Sequence, residues 1–391
     1  MFDFLNYKFS VLTLSFAIAV GIIVIMELLH YIIVYGRIIF YKPKSKDETP
    51  SNTTSENEGV SVVVVVNNNL EALKKDFVMI LEQNYPLFEV VVVNEDSQDD
   101  SEFVLHILQK NYSNIKVINL GKNANNFSDR KFSLSIGIRS AKYNNIVLTD
   151  VTCKIQDFNW LKELCNSFVY SDKKILIGYS SPQYEKGLTN NLARYYHLNW
   201  AMNVLGYGFL GMPFSADSNN MAYNKKFFFD KGGLISQYRD KCRQEDYFVS
   251  HYANKKNTMI NIAPSSFSLC LAMTSYSEFK RIAYSRYISH RTFPFMTKLR
   301  LAILPLATLL LYVLLAMLII WGMPWQFALI PIIIKWTMQI IYYYKCSNKL
   351  KTKIPYLFAP LLEIYFMFFN FNLRLKKLFY RKKTYKIRWK K

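Results

Sequence analysis

The five cysteines of this 391-residue chain, Cys153, Cys165, Cys242, Cys270 and Cys346, never fall into a C-x-x-C pair. A zinc cluster and a disulfide framework both need regularly spaced thiols, so neither is expected, and the cysteines read as reduced cytosolic thiols. No G-x-G-x-x-G follows the first strand-like run and no G-x-x-x-x-G-K-[ST] occurs, which excludes a dinucleotide fingerprint and a P-loop. Acidic residues are short as well: 28 Asp and Glu stand against 49 Lys and Arg, a formal net charge of +21. That excess points to a polyanionic partner, either nucleic acid or an anionic membrane surface. Zinc-finger and RNP-type patterns are missing, which argues against nucleic acid. A cleavable secretory signal is not expected either, because the first apolar run is too long for an h-region and leads into basic residues.

What is abundant is apolar sequence, 51% of the chain. Residues 11–40 are almost uninterrupted Leu, Ile, Val, Ala, Phe and Tyr, enough for one helix across a hydrocarbon core of about 30 Å. Arg37, Lys42, Lys44 and Lys46 follow it, and the positive-inside rule then places everything after Lys42 on the cytoplasmic side of the inner membrane. Residues 43–59, PKSKDETPSNTTSENEG, carry no apolar period and predict a flexible tether.

Beyond the tether the pattern changes. VSVVVVV at 60–66 is β-branched, too short for a membrane span and too uniformly apolar for a half-exposed strand, as expected of a buried parallel strand. A helix is predicted over 70–83, a strand over 88–94, a helix over 99–110, a strand over 115–120, a helix over 130–141 and a strand over 145–150. Strand and helix in turn predict an α/β fold with a doubly wound, mostly parallel sheet. Ligands of such sheets bind beyond the carboxyl ends of the strands, which directs attention to residues 67–69, 94–96 and 150–152. After about residue 291 apolar runs return at 301–321 and 327–344, a helical hairpin across the GMPWQ turn. A third run, 356–372, holds Glu363 near its centre and leads into the basic tail RLKKLFYRKKTYKIRWKK. It reads as an interfacial or re-entrant helix with the tail against anionic lipid, an ordinary third span being the alternative. The expected organisation is an anchor at 1–42, the tether at 43–59, a folded domain at 60–290, membrane helices at 291–373 and a basic cytoplasmic tail at 374–391.

Four segments resemble glycosyltransferase family 2 and its GT-A fold, in particular a membrane-bound bacterial branch. They are SVVVVVNNNLEAL at the opening strand and turn, VVVNEDSQDDS at 91–101, DRKFSLSIGIRSAKYNNIVLTDVTC at 129–153, and RQEDYFVS at 243–250. The likeness spans about residues 60–290 in the family's order and spacing. Asn94 and Glu95 stand where that family has two aspartates, Asn69 replaces the usual Glu, and Thr152 replaces the second aspartate of D-x-D. EFKRIAYSRYISHR, 278–291, supplies cations without the usual Gln-and-Arg signature.

The resemblance implies a nucleotide-sugar donor, a lipid-linked or envelope-glycan acceptor, and an inverting displacement on a cell-envelope membrane. It implies Asp246 as general base with Glu245 beside it. It also implies Asn68, Glu95, Arg130, Lys131, Asp150 and Thr152 around the donor, with Asp150 as ligand to a divalent Mg²⁺ or Mn²⁺. A neutral Thr152 binds such an ion far less strongly than a carboxylate, so the same departures also suit a catalytically weakened scaffold or binding subunit. Taken singly, carboxylates at strand ends are often helix caps, and Lys131 is equally well a solvated first-turn cation. Lys280, Arg281 and Arg286 could meet phosphate or lipid headgroups. The aromatic 195–207 stretch reads as membrane-proximal packing.

Overall fold

The computed structural model describes residues 11–43, 59–121, 129–238 and 242–387. Most of the expected tether, and the far end of the basic tail, lie outside them. The chain forms two compact units, one of residues 40–294 with 348–354, the other of residues 1–39, 295–347 and 355–391.

The first unit is mixed α/β. Its strands are β1 (Val60–Val66), β2 (Phe88–Glu95), β3 (Ile115–Leu120), β4 (Asn145–Leu148), β5 (Lys154–Ile155), β6 (Ile175–Ile177), β7 (Ser180–Pro182), β8 (Met221–Asn224), β9 (Thr258–Ile260) and β10 (Ser268–Cys270). Seven of them form one sheet in the order β3-β2-β1-β4-β8-β6-β9, and β5-β10-β7 form a second. Every residue of β1 is buried, because helices cover both faces and leave no side for polar residues to alternate onto. β1 runs parallel to β2 and β4, and β2 parallel to β3. β8 is the exception, antiparallel to both β4 and β6.

That reversal builds the site. In a parallel sheet every strand exits at the same end, but β8 enters there: Met221, its first residue, pairs with Leu148, the last of β4. The loop leading into β8 therefore lies beside the loop leaving β4. Thr149 Oγ1 donates to Asn219 O at 3.1 Å and ties the two, so the strand expected over 145–150 leaves the sheet two residues early and releases Asp150.

The helix expected over 70–83 is broken into Leu70–Lys75 and Val78–Leu81. Asp76 and Phe77 both donate their amides to Ala72 O, at 3.1 and 3.3 Å. This tightens the turn and drops Phe77 into the core, where it is fully buried. The Asp129–Ser140 helix lies close on β1 and β2 because of Gly137: a Cβ there would stand 2.6 Å from Val63 Cγ1 and 3.0 Å from Val93 Cγ2.

The second unit is helical. Its helices are Val11–His30, continued by a π turn at Tyr31–Tyr35 and by Gly36–Ile39, then Phe295–Ile320, Trp325–Lys349 and Ala359–Ile387. Val20, Ile23 and Val24 pack with Ala307, Leu311, Leu314, Leu315 and Leu318. Four helices, Thr13–Ile39, Phe295–Ile320, Trp325–Lys349 and Tyr356–Arg374, are long and apolar enough to cross a membrane. Glu363, the residue that suggests an interfacial position for the last of them, is paired: Lys335 Nζ lies 3.2 Å from Glu363 and 3.1 Å from Glu27. Thr308 Oγ1 donates to Glu27 at 2.8 Å within the same cluster.

Candidate active site

The turns after β1 and β2 are knitted together by short polar side chains. Asn67 Nδ2 donates to Glu95 O at 2.7 Å, and the amide of Gln98 donates to Asn68 Oδ1 at 2.8 Å. Asn68 takes a positive φ of 53° to do so, a conformation Asn tolerates better than most residues. Asp99 accepts from the amides of Leu70 and Ser101, both at 3.1 Å. Asn94 is buried and bonds Asn119 at 3.1 Å. Asn68 and Asn94 thus hold the turns in shape, and Glu95 stands at the end of β2 beyond them.

Arg130, in the first turn of the Asp129–Ser140 helix, joins the acids. Its Nη2 lies 2.5 Å from Asp150 Oδ2. Desolvation works against its charge, but Asp150, Glu95 and Glu245, in that order, outweigh the penalty and raise its pKa. Asp150 answers in kind: burial pushes its carboxyl up, while Arg130 and two hydrogen bonds from Thr152 prevail and hold it below the ordinary carboxylate value. Those bonds run from Thr152 N and Oγ1 to Asp150 Oδ1, at 2.9 and 2.6 Å. Residues from two strand ends, those of β2 and β4, and from the first turns of the Asp129–Ser140 and Gln244–Tyr252 helices therefore share one electrostatic environment.

Glu245 and Asp246 occupy the first turn of that helix, where its dipole favours negative charge. Both are buried. Arg243 Nε donates to Glu245 Oε1 at 2.6 Å. Burial opposes the Arg243 charge, and Glu245, Asp246 and Asp217 together raise its pKa regardless. Asp246 accepts a short hydrogen bond from Ser215 Oγ. Burial, countered by Arg243 and reinforced by Glu245, pushes Asp246 up to about 6. A carboxyl in that range is matched to taking a proton near neutral pH.

Two expectations need correction. Lys131 is not a solvated first-turn cation: it is buried, and its Nζ donates to Gln237 O at 2.9 Å. The ammonium ties its helix to the Ile235–Gln237 turn. Arg286 is not an interfacial cation: it is buried, its guanidinium lies over the rings of Tyr196 and Trp200, and its Nη2 reaches His197 Nδ1 at 3.3 Å. Burial, then Arg286, lowers the His197 pKa to about 4. The neutral ring accepts from Arg286 at Nδ1 and donates from Nε2 to Ser180 O at 2.8 Å. Lys280 sits over the Tyr276 ring and Arg281 is exposed. The 195–207 aromatics pack inside the α/β unit, with Trp200 against Phe214 and Phe293.

The sequence reading missed Asp217, Ser180, Ser215 and Arg243. Asp217 accepts a short hydrogen bond from Ser180 Oγ and its charge acts on Cys153 and Arg243. The signal was the polar run SADSNN, 215–220, just ahead of MAYN. It becomes informative only once β8 is known to enter the sheet where β4 leaves.

A divalent ion does not fit the donors as they stand. One Asp150 oxygen holds Arg130 and the other accepts from Thr152. Among the described residues no three His, Cys, Asp or Glu side chains are grouped so that they could hold a metal ion.

A solved structure shares this fold. A mannosyltransferase from Pyrobaculum calidifontis, in complex with GDP-mannose and Mn²⁺, superposes at TM-score 0.56 over 90% of this chain and 98% of its own, at 15% identity. Staphylococcus aureus TarS (residues 1–349) in complex with UDP gives 0.42 over 64% and 70%, at 14% identity. A comparison with curated proteins finds no match. The motifs resemble family 2, whereas the family model that matches is that of glycosyl transferase family 21, over residues 22–391. With nearly its whole length matched and a GT-A-like sheet presenting acids at the strand ends, the chain belongs to glycosyl transferase family 21.

Proposed function

We propose that the chain transfers a sugar from a nucleotide-sugar donor to a lipid-linked or envelope-glycan acceptor at the cytoplasmic face of the inner membrane. The Arg130–Asp150 ion pair at the end of β4, with the charges of Glu95 and Glu245 also acting on Arg130, carries this reading. Glu95 and Asn68 would meet the base and ribose, and Arg130 would exchange its contact with Asp150 for the diphosphate. Asp246 would deprotonate the acceptor hydroxyl, whose oxygen attacks the anomeric carbon as the nucleoside diphosphate leaves from the opposite face, inverting the configuration as the family 2 likeness implies.

One contact supports the proposed sidedness. Thr352, in the segment between the last two apolar helices, is buried in the α/β unit and bonds Ser181 Oγ at 2.8 Å. This supports a return of the chain to the same side of the membrane between residues 294 and 348, as in a two-helix hairpin. If residues 356–374 also crossed, the basic tail would lie outside, against the charge rule, so this helix is proposed to lie at the interface.

One observation favours a second reading. Both oxygens of Asp150 are already engaged by protein donors, as in a weakened relative that keeps the fold to bind or scaffold. Purified full-length protein challenged with UDP-, GDP- and dTDP-sugars separates the two. Donor hydrolysis or transfer that is lost in Asp246→Asn supports catalysis, and equal background turnover in both proteins supports the scaffold.

A further inference from the structure

A polar cavity of about 460 Å³ lies in the α/β unit and shares no lining residue with the Arg130 cluster. Its walls come from the small β5-β10-β7 sheet and from the 348–354 segment, and they include Lys154, Arg194, Lys351 and Lys353. Asp76 is the one carboxylate among them, paired with Lys154 at 3.2 Å. Positive charge is therefore in clear excess.

Arg194 is the decisive residue. Only 2% of it is exposed, yet its Nε and Nη1 donate to no acceptor among the described residues. Its guanidinium lies over the Tyr184 ring, 5.0 Å from the centroid. The titratable groups acting on its charge are the hydroxyls of Tyr179 and Tyr184, with no carboxylate between them. Leaving buried guanidinium donors unmade costs more than a hydrogen bond normally returns. A protein tolerates this where a ligand completes the set. Lys351 and Lys353 are fixed at the cavity by Thr352 between them, which accepts from or donates to Tyr179 at 2.5 Å and Ser181 at 2.8 Å.

We propose that this cavity binds a phosphate group. Guanidinium and ammonium donors in this number suit a multiply charged oxyanion better than a single carboxylate. Pro182, Leu269 and Leu271 add an apolar wall, which admits a phosphate carried on a hydrocarbon chain as well as a free one. The proposal stands independently of the donor site and of glycosyl transfer.

The test is titration of inorganic phosphate into the full-length protein in nanodiscs of phosphatidylcholine, followed by calorimetry. Wild type binds. Arg194→Met, and separately the surface pair Lys351→Gln with Lys353→Gln, should weaken binding by about tenfold or more, the value of one charge-assisted contact. The lysine pair keeps the test valid should the buried substitution fail to fold. Arg130→Gln should leave phosphate binding unchanged. Repeating the titration in nanodiscs containing phosphatidic acid separates the sources: loss of phosphate binding identifies a lipid phosphate as the occupant, and undiminished binding a soluble one. Absence of phosphate binding by wild type, or binding abolished by Arg130→Gln and kept in the lysine pair, overturns the proposal.

Discussion

The chemistry at the strand ends is decided by which neighbour each carboxyl faces. Asp246 differs from Asp150 because burial dominates in the first case and Arg130 with Thr152 dominates in the second. A general base works deprotonated, so a carboxyl raised to about 6 loses function as protons are added. kcat/KM should therefore fall as pH drops through about 6 and level off above it, as a pH–rate profile would show. Asp246→Asn removes the base and should cost about 10²-fold or more in turnover while the acid limb disappears. Thr152→Asp places a second carboxylate beside Asp150, as in D-x-D. Turnover in that variant should become dependent on Mn²⁺, measured by titration after chelation, and an unchanged response would show that the ion does not enter here.

Elements carry these residues into place, and they differ in how openly the sequence announces them. β1, β2 and β4 were legible because runs buried on both faces leave apolar stretches, and the half-exposed edge strand β3 because its apolar residues recur around Lys116 and Asn119. β5 to β10 are two to four residues long, too short for any periodicity to register, so the reversed β8 and with it Asp217 went unseen. Phe77 broke a helix that its apolar pattern favoured, because the core offered it more burial than the helix face did. Within the site, Glu95, Asp150, Glu245 and Asp246 could be named from their positions after apolar runs, or from the family likeness. Partners such as Arg243 and Ser215 depend on tertiary contacts with no local pattern. Gly137 was readable only as part of a motif, and its reason is steric. Gly137→Leu should force the Asp129–Ser140 helix off Val63 and Val93, costing about 1–3 kcal/mol in denaturant unfolding. Because Arg130 rides on that helix, donor affinity should fall more than in a destabilised control variant away from the site.

At the scale of the whole molecule, apolar helices and an α/β unit alternate along one chain, and the net charge of +21 suits the anionic membrane surface proposed as its partner. An interfacial last helix predicts that a reporter fused after Lys391 lies on the same side of the membrane as one inserted in the 60–290 region, in a protease-protection assay on sealed vesicles. A reporter on the opposite side would make residues 356–374 a true span.

Calorimetric affinity for the nucleotide sugar that most stabilises the protein, compared among wild type, Arg130→Ala and Asp150→Ala, bears most directly on the shared site. Each substitution should weaken binding by about tenfold or more. Equal affinity in all three proteins would contradict it.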